Sequence, residues 1–190
     1  MMLAFPLVFG ICNVAYNFVP IFYGKGYDKV APLLCIISPI IIFIELSNVT
    51  GTQYLLPTKQ QNKYKFSVVV GAIVNFTLNM FLIKRYASIG ASIATVIAEL
   101  SVTTTQFILV KDEIKFIEVI RLSYKYFIIS LLMYICSIII GLLIKQQQIS
   151  LLIQIITSVI VYYLIFITLK DNMINELIHN VKKKIKELRK

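Results

Sequence analysis

The chain has 190 residues, 58% of them hydrophobic, with a mean hydropathy of +0.83 and only 15% charged side chains. Soluble domains carry about 45–50% apolar and about 25% charged residues, so this composition excludes a water-soluble globule, a disordered chain and a disulfide-stapled secreted module. The net charge of +10 does not imply nucleic acid as a partner, because the basic residues lie between apolar runs and in the tail, not along one soluble face.

A helix rises about 1.5 Å per residue, so crossing about 30 Å of hydrocarbon takes roughly 20 apolar residues. Six runs qualify, which predicts an all-α polytopic membrane protein of about six transmembrane helices. The first run covers 1–23 and has no charge before Lys25. The second, 30–57, is broken only by Glu45, and the third, 66–83, is uncharged. The fourth, 86–110, is broken only by Glu99. The fifth, 126–144, and the sixth, 149–169, are uncharged and read as apolar almost all round. No run alternates polar and apolar residues over about ten positions, as a transmembrane strand does.

The predicted connections are 24–29, 58–65, 84–85, 111–125 and 145–148, short enough to make consecutive helices antiparallel neighbours. Fourteen of the 19 Lys and Arg residues fall in 58–65, 111–125 and the tail from 170, and the other five are Lys25, Lys29, Lys84, Arg85 and Lys145. The positive-inside rule then predicts a multi-pass protein of the plasma membrane with both termini cytoplasmic. Met1 enters the first run with no basic residue ahead of it, unlike a signal sequence. The expectation is the back part of a longer protein, begun at an internal Met. In the tail, 170–190, Ile174, Leu177, Ile178, Val181, Ile185 and Leu188 recur at helical spacing opposite lysines. That predicts an amphipathic helix on an anionic leaflet, with His179 as a surface residue.

Lipid penalises unpaired polar groups, so those inside spans face protein or a wet cavity. In the first span Asn13 and Asn17 share a face with Pro6 and Gly10. In the second, Ser38, Glu45, Asn48 and Thr52 align, and in the third, Ser67, Gly71, Asn75 and Asn79. In the fourth, Ser88, Ser92, Thr95, Glu99, Thr103 and Gln106 form one stripe, in which Thr95 and Thr103 stand a turn either side of Glu99. Each seam alone reads as interhelical hydrogen bonding. Four such seams on adjacent helices predict a shared polar cavity. Glu45 and Glu99 are the stronger signals, because a mid-span carboxylate costs about 2.5–3.5 kcal/mol on insertion scales. Gly90, Ala94 and Ala98 predict close helix packing, and Pro39 and Gly51 predict breaks in the long second run. Cys12, Cys35 and Cys136, an odd number within apolar runs, read as small core residues and not as a disulfide or metal set. No catalytic constellation, metal spacing or nucleotide loop is present, so the sequence calls for no enzyme activity, metal or cofactor.

The order of these features resembles a known family. A Pro-containing span ends in Phe22-Tyr23-Gly24-Lys25-Gly26-Tyr27, and a second runs from Ile40 through Glu45 and Asn48 to Leu55-Leu56-Pro57 and a basic loop. A third carries Asn75 and Asn79, and a very short turn leads to the stretch from Gly90 to Glu99. Over 1–110 this is similar to the C-terminal part of the polysaccharide flippases, in the superfamily of multidrug exporters and the lipid II flippase. The last two spans match only in number and apolar character. The resemblance implies a longer protein of about twelve to fourteen spans, with two lobes around a central cavity. This chain would supply part of one transporter lobe (1–110), a cytoplasmic loop (111–125), two accessory helices (126–169) and the tail. It implies alternating-access flipping of an undecaprenyl-diphosphate-linked oligosaccharide for cell-surface polysaccharide. The implied partners are that lipid-linked substrate, membrane lipids, Na+ or H+ as coupling ion, and the missing N-terminal lobe. The implied cavity residues are Asn13, Asn17, Glu45, Asn48, Asn75, Asn79 and Glu99. A diphosphate cavity calls for Arg or Lys, and no span here carries one in its middle. Three other readings stand beside this one: a cation-coupled drug antiporter of the same superfamily, a membrane-embedded enzyme of envelope-polymer synthesis, and a non-transporting scaffold or pseudogene product.

Overall fold

A computed structural model describes residues 1–144 and 146–168. The amphipathic tail with His179, and Lys145, lie outside the described residues. The described chain is all-α. Its helices are α1 (Ala4–Phe22), α2 (Val30–Ile37), α3 (Ile40–Ser47), α4 (Gln61–Leu109), α5 (Phe116–Leu143) and α6 (Gln147–Thr168), with a π-helical segment Asn48–Leu55 continuing α3. Five helical stretches are long and apolar enough to cross a membrane, with α2, α3 and the π-helical segment forming one of them. The protein is therefore a multi-pass membrane protein.

Pro6 falls in the first turn of α1, where a missing N–H costs no helical hydrogen bond. The break between α2 and α3 has a definite cause. Pro39 has no N–H to give the carbonyl four residues back, which belongs to Cys35. The Ser38 hydroxyl donates to that carbonyl instead, at 3.0 Å, so the chain bends without leaving a bare acceptor in lipid. The expected breaks are both present: Pro39 caps α3, and Gly51 lies within the π-helical segment. A side chain at Gly51 would press on the Tyr64 ring, its Cβ 2.9 Å from Cε2.

The 49 residues of α4 would span about 73 Å if straight, more than twice the hydrocarbon. Instead α4 reverses at Ala87 (φ 48°, ψ −123°), and its two arms run antiparallel. Ser67 meets Gln106, Gly71 faces Ala98 and Val102, and Gly90 lies against the Leu82 carbonyl. The five stretches thus make six crossings, with the turn two residues later than 84–85. Gly90, Ala94 and Ala98 are buried, as their small-residue spacing predicts.

Helix α1 packs on α2, α3, α5 and α6, and α4 packs on α2 and α3. Ala15, Val19 and Ala31 close the α1–α2 contact. Phe5 and Phe9 of α1 meet Phe127 and Tyr134 of α5. The Tyr162 hydroxyl donates to the Met2 carbonyl, tying the far end of α6 to the chain start. The Lys63 ammonium donates to the Leu109 carbonyl at 3.1 Å and stands 3.8 Å from the Glu113 carboxylate. The connections after the second and fourth spans therefore share one end of the molecule, as the charge distribution predicts.

Two expectations need correction. The connection expected over 111–125 is shorter, because α5 begins at Phe116. Its 28 residues reach about 42 Å, so the turns carrying Glu118, Arg121 and Lys125 extend past the hydrocarbon, where charge carries no penalty. Nor are the cysteines all core residues. Cys12 and Cys35 are half-buried and face each other across α1 and α2, and Cys136 is exposed on α5.

Candidate functional site

The polar residues of the spans divide into separate groups. One is a closed knot around Gln106, which is fully buried. Its carboxamide oxygen accepts from Thr50 at 2.7 Å and from Ser47 at 3.0 Å, and its nitrogen donates to Ser67 at 3.1 Å. Ser67 in turn donates to the Tyr64 carbonyl at 2.7 Å. One side chain thus joins the second, third and fourth spans.

A second group joins α1 to the α5–α6 hairpin. Asn13 donates to Ser137, and Asn17 donates to Gln154 Oε1 at 2.9 Å and to Ser150 at 3.3 Å. Ser137 donates to the Gln154 carbonyl at 3.1 Å, and Ser158 stands 3.1 Å from the Ser137 hydroxyl. The fifth and sixth spans are therefore not apolar all round. Ser130, Ser137, Ser150, Gln154 and Ser158 are buried within them. Their spacings of seven on α5 and four on α6 carry the signal that marks the first four spans, and the stacking rule finds them.

The remaining candidates lie apart from both groups. Asn79 donates to Asn75 Oδ1 at 2.6 Å, one turn away on the first arm of α4. The Asn79 oxygen is buried without a partner. Asn48 lies at the start of the π-helical segment, where its carbonyl accepts from Thr52 at 2.7 Å. Glu45 is exposed on α3 and Glu99 is half-buried on the second arm of α4. Among the described residues neither carboxylate has a hydrogen-bond or ion-pair partner. Thr95 and Thr103, a turn either side of Glu99, do not hydrogen-bond to it. Thr95 donates to the Ala91 carbonyl at 2.9 Å and Thr103 to the Phe43 carbonyl at 3.0 Å.

Those contacts fix relative depth. Thr103 is level with Phe43, and Gln106 with Ser47 and Thr50, so the second span and the second arm of α4 run parallel. Glu99, one turn before Thr103, then lies level with about Pro39, roughly 8–9 Å along the axis from Glu45. The two carboxylates occupy different levels of the same helix pair.

Among the described residues several cavities open on the surface. One, of about 310 Å³, lies between Met1, Phe5, Leu46 and Phe127, and one of about 460 Å³ lies between α1 and α6. A third, of about 370 Å³, includes Phe43, Thr103 and Phe107. A fourth, of about 330 Å³ and the most polar of these, is lined by Asn13, Asn17 and Gln154 among others. Neither Glu45 nor Glu99 lines any of the four. The shared cavity expected from four seams is not enclosed by the described helices: the seams of the first span and of the far end of the fourth are spent on packing. Glu45, Asn48, Asn75, Asn79 and Glu99 are not drawn into either knot. No group of three or more potential metal ligands occurs among the described residues.

Over 94 residues, half of this chain, the sequence is 31% identical to the "Putative O-antigen transporter" of Escherichia coli (strain K12). The matched stretch spans 23% of that protein's length. No protein-family model matches the chain, and no solved structure matches it.

Proposed function

We propose that the chain is part of a transporter of polysaccharide precursors, one that flips an undecaprenyl-diphosphate-linked oligosaccharide across the plasma membrane. The likeness to a protein described as an O-antigen transporter carries this reading. The two unpaired carboxylates support it. An acid in lipid without a partner costs more than packing returns, so its retention favours a role in a hydrated pathway. In this reading Glu99 and Glu45 exchange H+ or Na+, and Asn48, Asn75 and Asn79 contribute neutral hydrogen-bonding groups to the same pathway. Asn13 and Asn17 hold α1 to α5 and α6, a supporting role. The helix pair bearing Glu45 and Glu99 meets a second lobe, and alternating access is the rocking of the two bodies about that contact. The cations that a diphosphate needs come from that lobe.

The test is disruption of the gene in its own host. Loss of surface polysaccharide together with build-up of its complete lipid-linked precursor is the expected result. Unchanged polysaccharide with increased sensitivity to cationic drugs would instead favour the antiporter reading, for which the lone carboxylate of Glu99 is also suited. Loss of the precursor itself would favour an enzyme of its synthesis.

A further inference from the structure

The far end of α4 carries a groove that neither polar knot uses. Leu100, Thr104 and Ile108 fall one helical turn apart on α4, and Lys111, just past the helix end, lines the same groove. Phe43 and Leu46 of α3 line it as well, and the whole encloses about 370 Å³. From Leu100 to Lys111 it runs about 15 Å, the thickness of one leaflet of hydrocarbon. Its chemistry changes along that length. Short of Lys111 the lining is apolar apart from two threonines, and the Thr103 hydroxyl is spent on the Phe43 carbonyl. The single charged residue of the lining stands where α4 ends.

Lys111 is exposed and enters neither of the ion pairs nearby, which join Lys63 to Glu113 and Lys115 to Glu118. Asp112 follows it, but the connections 58–65 and 111–125 together hold seven Lys and Arg against three acids. An anion at the groove's mouth is therefore favoured. A second apolar cavity, of about 310 Å³, shares Leu46 and Phe116 with the groove, and no charged side chain lines it. The pair offers apolar surface to two chains and one cation to one headgroup. We propose that the groove is a binding site for one anionic diacyl phospholipid, with an acyl chain along α4 and the phosphate headgroup on the Lys111 ammonium. A zwitterionic lipid has the same chains, but its own cation competes with Lys111 for the phosphate. The proposal concerns a resident lipid and stands apart from what the protein transports.

The chain contains no Trp, so Ile108→Trp places a single reporter in the groove. Ile108 is 63% exposed, which leaves room for the larger ring. The 190-residue chain carrying it is reconstituted in bilayers that mix phosphatidylglycerol and phosphatidylcholine, with the acyl chains of one lipid or the other brominated. Bromine quenches the indole on contact, so the two mixtures together read which lipid occupies the groove. One Lys beside an anionic headgroup favours it several-fold, so phosphatidylglycerol is expected to be preferred at position 108 by roughly three- to fivefold. Lys111→Gln should bring the preference close to one. Lys65→Gln, which removes another exposed charge from the same end, should leave it unchanged. Phe76→Trp, exposed on the first arm of α4 and outside the groove, should show no preference. Phe116→Trp reports from the same groove if Ile108→Trp does not fold. No preference at the groove, a preference that survives Lys111→Gln, or one lost equally with Lys65→Gln would each overturn the proposal.

Discussion

Gln106 holds three spans together through one carboxamide, so its replacement is the sharpest single test of the packing. Gln106→Leu removes three hydrogen bonds at a fully buried position. Hydrogen bonds between transmembrane helices are worth about 0.6 kcal/mol on average, so a loss of roughly 1–2 kcal/mol is expected. A denaturation midpoint in detergent measures it, and Thr52→Ala, whose hydroxyl bonds only within its own turn, should leave the midpoint unchanged. Glu99→Gln should bring no such loss, because the carboxylate holds no partner to lose. Membrane insertion and the midpoint should stay as in the parent, with transport reduced and its dependence on pH or sodium flattened. Transport across a pH series at matched expression checks this, and an unchanged profile would make Glu99 a bystander. Helical spacing in the sequence placed Thr103, Gln106 and Glu99 on one stripe. It could not tell which of them meets a neighbouring helix, because that depends on α3 lying level with the far end of α4. Spacing marks Ser137 and Gln154 within their own helices, but it could not show their partners on α1, more than 120 residues away.

At the scale of elements, the reversal within α4 carries a measurable strain. Ala87 holds φ at 48° and ψ at −123°, a conformation that glycine adopts without penalty. Ala87→Gly should raise the denaturation midpoint by the equivalent of about 1 kcal/mol. Gly90→Ala should lower it, because the new Cβ would lie 2.2 Å from the Leu82 carbonyl oxygen, and overpacking of this kind costs about 1–3 kcal/mol. Gly10→Ala meets nothing within 4 Å and serves as the neutral control. The hairpin itself was legible: two uncharged or nearly uncharged runs were separated by a short polar turn. The start of α5 was not, because hydropathy marks the hydrocarbon boundary and not the helix boundary. Glu118, Arg121 and Lys125 end the apolar run without ending the helix.

At the scale of the whole molecule, the basic connections after the second and fourth spans meet at one end through Lys63, Leu109 and Glu113. Lys63→Cys and Lys145→Cys, in a background without the three native cysteines, should label from opposite sides of the membrane, with position 63 reached only from the cytoplasm. Access to position 63 by an impermeant thiol reagent in intact cells would invert the topology. The number of spans and their pairing could be read from charge and apolar runs, because the bilayer sets both. The division of the polar seams between closed knots and unpaired carboxylates could not, because it depends on which faces the helices bury against one another. The proposed function is movement of a finished lipid-linked oligosaccharide between leaflets. Its most direct measurement is the access of that precursor to an impermeant lectin on intact spheroplasts, with and without the protein. The account predicts that loss of the protein leaves the precursor abundant but hidden from the lectin on the cytoplasmic leaflet. Precursor that reaches the lectin as readily without the protein as with it would contradict the account.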